Sequence, residues 1–385
     1  MNPEQPRHAP ARGRGATFNP DNRYGRFSRA RLADDAPPPD ADVAAEGDDA
    51  ALPAVRTTVT VSPARTIITR NDSPDIPFTQ SVNPYQGCEH GCIYCYARPS
   101  HAWLDLSPGI DFETRLFAKP DAARLLRAEL ARPGYRCDPI ALGANTDPYQ
   151  PIERDWRITR SVLEVLAQCR HPFTIVTKSA LVERDIDLIA PMAAQRMARV
   201  YVSVTTLDRE LARRMEPRAA SPQRRLQAIG ALARAGIPVG VMVAPVIPQL
   251  TDRDLEAIVG AAAAAGATSA GWVLLRLPRE VSPLFRDWLD AHYPARAAHV
   301  MSLVAQARGG RDNDPRFGSR MRGEGPVAML LARRFELACS RHGLARGRGQ
   351  HGLDTTRFAP PRAARCETAA QQGDLFEDVP MREAG

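Results

Sequence analysis

The sequence predicts an α/β fold in which six strand–helix units form a partial (β/α)6 barrel of the TIM type, followed by a helical extension. Six short runs rich in β-branched residues alternate with segments of helical periodicity between about residues 78 and 277. Strands joined by helical crossovers are parallel, because such crossovers are right-handed. A complete (β/α)8 barrel takes about 250 residues, so a core of about 200 favours an open barrel. A doubly wound sheet is the alternative, although no GxGxxG motif follows the first strand.

The individual elements follow from these runs and from the segments between them. Apolar residues at helical spacing predict the helices, and Ile158, Val162 and Leu166 share one such face. Ser221 followed by Pro222 predicts a helix start, since serine caps free backbone N–H groups and proline suits the first turn. The six predicted strands span residues 78–82, 139–142, 173–177, 199–204, 239–244 and 271–275.

The two chain ends differ in composition from the barrel core at 78–277 and the helical extension at 278–344. Residues 1–60 are rich in Arg, Pro and Asp without apolar periodicity, which predicts a disordered arm. Residues 345–385 are likewise expected to form a disordered tail. Within this tail, Gln372, Leu375 and Phe376 resemble the QxxLF peptide that docks on the bacterial replication sliding clamp. The clamp is therefore an expected partner, although so short a match also arises by chance.

Charge and hydropathy narrow the functional class. The chain has 385 residues and a net charge of +7, and all but two of its 51 basic residues are arginine. Arginine forks suit DNA or RNA, while codon bias in a GC-rich genome explains the same excess. No apolar signal segment opens the sequence, and the uncharged run at 257–275 contains glycines and polar residues that indicate a helix end, a turn and a strand. We therefore expect a cytoplasmic protein without a membrane span.

Three of the seven cysteines form a motif, CxxxCxxC, at Cys88, Cys92 and Cys95. Glycines at 87 and 91 allow a tight loop that brings the thiols together, and soft sulfur ligands select zinc, copper(I) or iron–sulfur clusters. In one interpretation, His90 or His101 completes a structural zinc site, and the chain is an arginine-rich nucleic-acid-binding protein without catalysis. In the other, the thiols bind three irons of a [4Fe–4S] cluster. Because no second CxxC pair is present, and because strand ends in barrels carry active sites, the cluster is favoured.

The motif, with Tyr94 between its second and third cysteines, resembles the signature of the radical S-adenosylmethionine (SAM) superfamily. The triplet 94–96, the strand ends at 145–149 and 177–179 and the strand bearing Ser203 are similar to the spore-photoproduct-lyase-like branch. The resemblance implies that an electron from an external flavodoxin or ferredoxin cleaves SAM at a [4Fe–4S] cluster. The resulting 5′-deoxyadenosyl radical would abstract hydrogen from a substrate, for which a nucleic acid is one candidate.

The same resemblance implies roles for residues at the strand ends. Asn145 and Thr146 would contact the SAM amino group, and Lys178 its carboxylate; a turn residue and a surface charge are the alternatives. Ser203 would bind the ribose or carboxylate, Ala244 would offer backbone groups to the adenine, and Tyr94 would pack beside it. Simple strand or core packing also explains Ser203 and Tyr94. Tyr96 would relay a radical, unless it only packs.

One departure and one loop complete the sequence evidence. Spore photoproduct lyase has a hydrogen-donating cysteine near its second strand end, where Ala144 stands here, so dimer repair by that route is not expected. Beyond the core, residues 309–323 form a glycine-rich loop with several arginines and Phe317. Such a loop suits the backbone and bases of a nucleic acid, and equally a solvated turn.

Overall fold

The computed structural model describes residues 11–25, 55–347 and 352–361. The strands within these residues are short, as expected for a barrel core flanked by edge strands. In chain order they are β1 (Thr58–Val61), β2 (Ile68–Arg70), β3 (Gln80–Val82), β4 (Tyr85–Gln86), β5 (Arg115–Ala118), β6 (Ile140–Leu142), β7 (Phe173–Thr177), β8 (Ala198–Ser203), β9 (Val239–Val246), β10 (Ser269–Leu274) and β11 (Ala345–Arg346).

The helices fill the intervals between the core strands and form the extension after them. They are α1 (Ile110–Thr114), α2 (Ala122–Leu130), α3 (Glu153–Trp156), α4 (Ile158–Gln168), α5 (Ile186–Ala194), α6 (Arg209–Met215), α7 (Pro222–Arg234), α8 (Leu255–Ala264), α9 (Val281–His292), α10 (Pro294–Gln306) and α11 (Gly325–Arg341). Short 3-10 helices span Arg98–Leu104, Ala180–Asp185 and Asp252–Asp254.

The main sheet has eight strands in the spatial order β11-β10-β9-β8-β7-β6-β3-β2. The six central strands, β3 and β6 to β10, are all parallel, and each lies beside the next one in the sequence. A doubly wound sheet reverses its strand order at a switch point, so that alternative is wrong. The predicted open barrel of six units is confirmed, with the antiparallel β2 and the two-residue β11 added at its edges.

Burial explains why the predicted elements form. Strand β7 is almost entirely buried, as a parallel strand covered on both faces should be. In α4, Ile158, Val162 and Leu166 are buried against the sheet, which confirms the predicted helical face. The Ser221 hydroxyl accepts a hydrogen bond from Arg224 N at the start of α7. A second, three-stranded sheet, in the order β1-β5-β4, lies beside the loop that follows β4.

Both chain ends contain ordered segments where composition predicted disorder. Residues 11–25, here called the N-terminal strap, pack on the core with Ala16 fully buried, and β1 also begins within the expected arm. Residues 352–361, here called the C-terminal strap, pack through Phe358 against Tyr135 and His171. The prediction failed here because each strap is held by a few specific long-range contacts, which average composition over 40–60 residues does not register.

The other parts of the expected arm and tail, residues 1–10, 26–54, 348–351 and 362–385, lie outside the described residues. The clamp-like motif with Gln372, Leu375 and Phe376 falls there and stays a prediction. The expected helical extension is present as α9, α10 and α11. Among the residues that the structure describes, no helix is both long enough and apolar enough to span a bilayer.

Candidate active site at the carboxyl ends of the strands

A cavity of about 270 Å³ opens at the carboxyl ends of the parallel strands. This is the edge at which barrel enzymes bind their substrates. The ten residues to which the family resemblance gave a role all line this one cavity: Cys88, Cys92, Tyr94, Cys95, Tyr96, Asn145, Thr146, Lys178, Ser203 and Ala244. The structure therefore brings these side chains together, although shared lining does not by itself give each one a role.

The cysteine loop, residues 88–95, follows β4 of the small sheet rather than β3 directly. Gly87 and Gly91 adopt positive φ angles of 75° and 67°, which turn the chain tightly enough for the three thiols to face the cavity. Cys88 and Cys92 are buried, and burial raises the pKa of all three thiols. Buried thiolates need a bound cation, and three thiols around one cavity fit an iron–sulfur cluster, in which each thiolate binds a different iron.

A buried arginine that the sequence analysis missed holds the outer side of this loop. Arg98 is fully buried and donates from Nε to Cys92 O at 3.0 Å and from Nη2 to Gly91 O at 3.3 Å. The same guanidinium pairs with the carboxylate of Glu113, which is also fully buried. A buried charge is stable only when it is paired and hydrogen-bonded, and Arg98 meets both conditions. Arg98 thus fixes the cysteine loop through hydrogen bonds to the backbone carbonyl oxygens of that loop.

The end of β7 is fixed by Asp147. Its carboxylate accepts hydrogen bonds from Lys178 N and Thr177 Oγ1, each at 2.7 Å, and lies 3.4 Å from His90 Nδ1. Burial opposes ionisation of Asp147, but His90 and these hydrogen bonds outweigh it and lower the pKa. The Lys178 ammonium lies 5.7 Å from the centre of the Tyr94 ring. The chain therefore holds one lysine charge against an aromatic wall of the cavity.

Tyr94 belongs to a buried polar network. Its hydroxyl hydrogen-bonds to Glu216, which also accepts from Thr205 Oγ1 at 2.6 Å and pairs with the buried Arg225. Arg225 in turn donates to Ser203 O at 3.1 Å. The network fixes both the Tyr94 ring and the end of β8, so Tyr94 has a packing role whatever else it contacts.

Asn145 and Thr146 lie at the end of β6 beside the small sheet. Asn145 N donates to Asn83 Oδ1 at 3.0 Å, and Thr146 Oγ1 donates to Tyr85 O at 3.0 Å. These contacts orient the residues after the strand. Because the Thr146 hydroxyl hydrogen is used in this way, only its oxygen lone pairs are available to a ligand.

Tyr96 stands at the mouth of the cavity and is about half exposed, at 49%. Its hydroxyl donates to the carbonyl oxygen of Ala144, which places the phenol at the position lacking a cysteine. The guanidinium of Arg276, in the loop after β10, lies 5.8 Å from the Tyr96 ring centre and also lines the cavity. Arg276 was missed because one arginine among 49 carries no distinguishing sequence signal.

Neither candidate histidine points to a zinc site. His101 contacts Arg115 O through Nε2 at 3.0 Å, and burial lowers its pKa to about 4. His90 pairs with Asp147. Throughout residues 11–25, 55–347 and 352–361, no three Cys, His, Asp or Glu side chains are close enough together to coordinate one ion.

The glycine-rich loop at 309–323 closes a side of the cavity. Arg320 Nε donates to Asp75 Oδ2 at 2.5 Å, and Gly318 N donates to Asp75 Oδ1 at 2.7 Å. Residues 76–78 and Met321, which flank this contact, line the cavity. Arg316 pairs with acidic side chains of the same region. Arg316 and Arg320 are thus used structurally, which favours the folded-turn interpretation for them over phosphate binding.

A sequence model of the radical SAM superfamily matches residues 82–262, which contain the cysteine loop and the strands from β6 to β9. The chain belongs to the radical SAM superfamily. The resemblance seen in the sequence is therefore confirmed. Membership implies that SAM and an iron–sulfur cluster are the cofactors and that the protein is an enzyme. The three thiols that face one cavity are the donors that such a cluster requires. The fully buried Arg98 fixes the loop that carries them.

The chain also has relatives of similar sequence and solved structures of similar fold. Uncharacterised proteins of Mycobacterium tuberculosis and Mycobacterium bovis are each 42% identical over 230 residues, which is 59% of this chain and 68% of each relative. Spore photoproduct lyase complexed with dinucleoside spore photoproduct superposes with a TM-score of 0.53 at 17% identity, over 75% of this chain and 81% of that one. A mutant of that enzyme with bound AdoMet and the same dinucleoside gives 0.53 at 16% identity, over 76% and 81%. At these identities the likeness shows a shared fold.

Proposed function

We propose that this enzyme holds a [4Fe–4S] cluster through Cys88, Cys92 and Cys95 and cleaves SAM reductively. The observation that carries the proposal is that these three thiols face one cavity at the carboxyl ends of the barrel strands. When bound, the cofactors supply an electron that cleaves the sulfonium C–S bond and a 5′-deoxyadenosyl radical that takes hydrogen from the substrate. A flavodoxin or ferredoxin in the cytoplasm would supply the electron.

The strand ends bind and orient SAM in this proposal. The Lys178 ammonium binds the methionine carboxylate, and the Asp147 hydrogen bond to Lys178 N fixes the backbone from which that side chain extends. Asn145 and Thr146 receive the amino group. The Ser203 hydroxyl and the backbone of Ala244 contact the ribose and adenine, and both residues line the cavity beside Tyr94.

Tyr96 is the proposed hydrogen relay. Its O–H hydrogen passes to the substrate radical as a C–H bond forms, which leaves the unpaired electron on the phenol. Hydrogen from 5′-deoxyadenosine, or an electron and a proton from the external donor and solvent, then restores the phenol. The hydrogen bond from Tyr96 to the Ala144 carbonyl supports this role, because it places a transferable hydrogen where this chain has no thiol.

The substrate that the mouth suits best is a single-stranded nucleic acid. Arg276 lines the cavity beside Tyr96 and adds positive charge at the entrance, which favours a substrate that carries phosphate groups. On the surface, Trp103 and Tyr24 are 71% and 51% exposed, with ring centres 4.9 Å apart. Arg23 lies over the Tyr24 ring at 4.8 Å, and Arg279 also contacts the Tyr24 hydroxyl. Exposed aromatic rings beside arginines form stacking platforms for unpaired bases.

Anaerobic reconstitution tests the cofactor assignment. Wild type should take up about four irons per chain with broad charge-transfer absorption, and dithionite with SAM should then yield 5′-deoxyadenosine. Cys92→Ala should lose both properties. Cys137→Ala is the matched control, because Cys137 is a free thiol outside the cavity lining. Stoichiometric zinc without iron, or 5′-deoxyadenosine from Cys92→Ala, overturns the assignment and returns the zinc-stabilised nucleic-acid-binding alternative.

Fluorescence anisotropy with single-stranded DNA and RNA oligonucleotides tests the substrate class. Trp103→Ala should weaken binding about 5- to 150-fold, because stacking contributes about 1–3 kcal/mol per base. The control is Phe317→Ala, since Phe317 is 61% exposed but lies above the ion-paired Arg320. No binding by wild type, or equal losses in the two variants, contradicts binding of a nucleic acid through the Trp103–Tyr24 pair.

A further inference from the structure

The N-terminal strap lies directly on the cysteine loop. Gly15 N and Ala16 N donate to the two carboxylate oxygens of Glu113 at 2.9 and 2.8 Å. Ala16 is fully buried in an apolar cluster that also contains Cys92, Ile93 and Tyr94. The strap lies outside residues 82–262, the part of the chain that the superfamily shares. The strap is nevertheless in contact with the cysteine motif, which belongs to that shared part.

The fit between strap and loop leaves no room for a side chain at position 15. A Cβ atom on Gly15 would lie 1.9 Å from Gly91 O and 3.2 Å from Ile93 N. Both are backbone atoms, which cannot rotate away as a flexible side chain can. Gly15 does not have a positive φ angle. The close approach to the cysteine loop, and not a left-handed backbone conformation, therefore explains why glycine occupies this position.

Glu113 joins the strap to the backbone that carries the cysteines. Its carboxylate accepts from the strap on one side and from Arg98 on the other, and Arg98 donates to Gly91 O and Cys92 O. All of these groups are buried. A shift of the strap therefore alters the hydrogen bonds of Arg98 and, through them, the position of the loop.

Arg14 anchors the strap at its other side. This buried side chain donates from Nη1 to Glu113 O at 3.0 Å and from Nη2 to Val55 O at 2.6 Å and Thr57 Oγ1 at 2.8 Å. Thr57 Oγ1 in turn donates to Oε1 of Glu89, a residue of the cysteine motif, at 2.7 Å. Two independent hydrogen-bonded routes thus lead from the strap to the loop.

We propose that Arg14, Gly15 and Ala16 are positioning residues of the iron–sulfur site. They fix the cysteine loop and cover its outer side, so that the thiols are reached from the cavity and not from bulk solvent. This inference rests on the proposed cluster assignment. Groups that orient the ligands of a metal are worth about 10- to 100-fold in its retention, which sets the size of the expected effect.

The first test uses metal-free protein, so that its result does not depend on the cluster. Gly15→Ala in the full chain should increase amide hydrogen exchange in peptides covering residues 88–98. Asn19→Ala is the matched control, because Asn19 lies in the same strap but pairs with Asp111 instead of the cysteine loop. Equal exchange in Gly15→Ala and wild type, or an equal increase in both variants, overturns the inference. Thermal melting of each variant shows whether the rest of the protein stays folded.

The second test uses reconstituted protein. Gly15→Ala should lose iron to a chelator, and bleach in air, about 10- to 100-fold faster than wild type and Asn19→Ala. Its midpoint potential, followed by electron paramagnetic resonance, should also shift, which a general loss of stability would not cause. Wild-type rates and potential in Gly15→Ala overturn the inference. A wild type that binds no iron refutes the cluster assignment instead, and the exchange experiment then decides whether the strap positions the loop.

Discussion

The two straps contact opposite ends of the barrel and do so by different chemistry. The N-terminal strap lies at the carboxyl ends of the strands, where buried charges, Arg14, Arg98 and Glu113, dominate its contacts. The C-terminal strap crosses the loops that precede β6, β7 and β8. It is held there by Phe358, which packs on Tyr135 and His171, and by backbone hydrogen bonds to Cys169 O and Arg196 O.

The difference indicates that the N-terminal strap fixes the geometry of the site, whereas the C-terminal strap contributes mainly to the stability of the fold. Hydrogen-bonded charges are directional, so they suit the end at which a cofactor must be held in one place. Aromatic packing is less directional and contributes mainly buried area. In barrels, features at the amino ends of the strands serve stability, and those at the carboxyl ends serve function. Variants at the carboxyl ends should therefore change the cofactor site as well as stability, whereas variants at the amino ends should change stability alone.

The largest expected effect is that of Glu113→Ala. Removing the carboxylate takes the anionic partner away from the buried Arg98 guanidinium, and breaking a buried ion pair costs about 3–5 kcal/mol. Urea unfolding of metal-free protein measures this loss. If Glu113→Ala is as stable as wild type, buried charges do not hold the N-terminal strap, and the contrast in chemistry between the two straps is wrong.

Lys178→Met should leave stability nearly unchanged but raise the KM for SAM. A hydrogen bond to a charged group contributes about 1.5–3 kcal/mol, which corresponds to about 10- to 100-fold. Steady-state formation of 5′-deoxyadenosine measures the effect. Lys119→Met serves as the control, because Lys119 is the only other lysine and does not line the cavity. An unchanged KM in Lys178→Met contradicts the proposed carboxylate contact.

A pair of histidines, one at each end, should make the protein sensitive to acid. Burial lowers the pKa of both His101 and His171 to about 4. The unfolded chain therefore binds more protons below about pH 6.5, and stability falls as the pH drops from there towards 4. Each histidine should cost about 2 kcal/mol at pH 5. Urea midpoints between pH 7 and 5 measure the loss, and His171→Gln should remove about half of it; a flat profile would refute the assignment.

Phe358→Ala should have the smallest effect, confined to stability. The side chain is half-buried, so its loss should cost about 1–2 kcal/mol. Iron content and 5′-deoxyadenosine formation per folded molecule should equal those of wild type. A clear loss of activity at full iron content would show that the C-terminal strap also acts on the cavity.

The sequence predicted what depends on local pattern. Runs such as 173–177 specify buried strands by themselves, and the spacing of Cys88, Cys92 and Cys95 marks a ligand loop before any fold is known. The strap contacts depend on hydrogen bonds from Gly15 N and Ala16 N to Glu113, which lies 98 and 97 residues further along the chain. No periodicity connects residues so far apart. Arg98 and Arg276 were missed for a related reason, because their roles come from burial and position rather than from spacing.

The contact between Asp75 and Arg320 has a consequence for how the protein can be divided. It joins the segment before β3 to a loop of the helical extension, across the gap between the first and last core strands. Arg308 adds hydrogen bonds to Leu274 O and Leu275 O at the end of β10. A fragment ending at residue 277 would therefore lack one wall of the cavity, which would be open to solvent along that side. The boundary at 277 separates the barrel core from the helical extension in the sequence, but residues of both are needed to enclose the cavity.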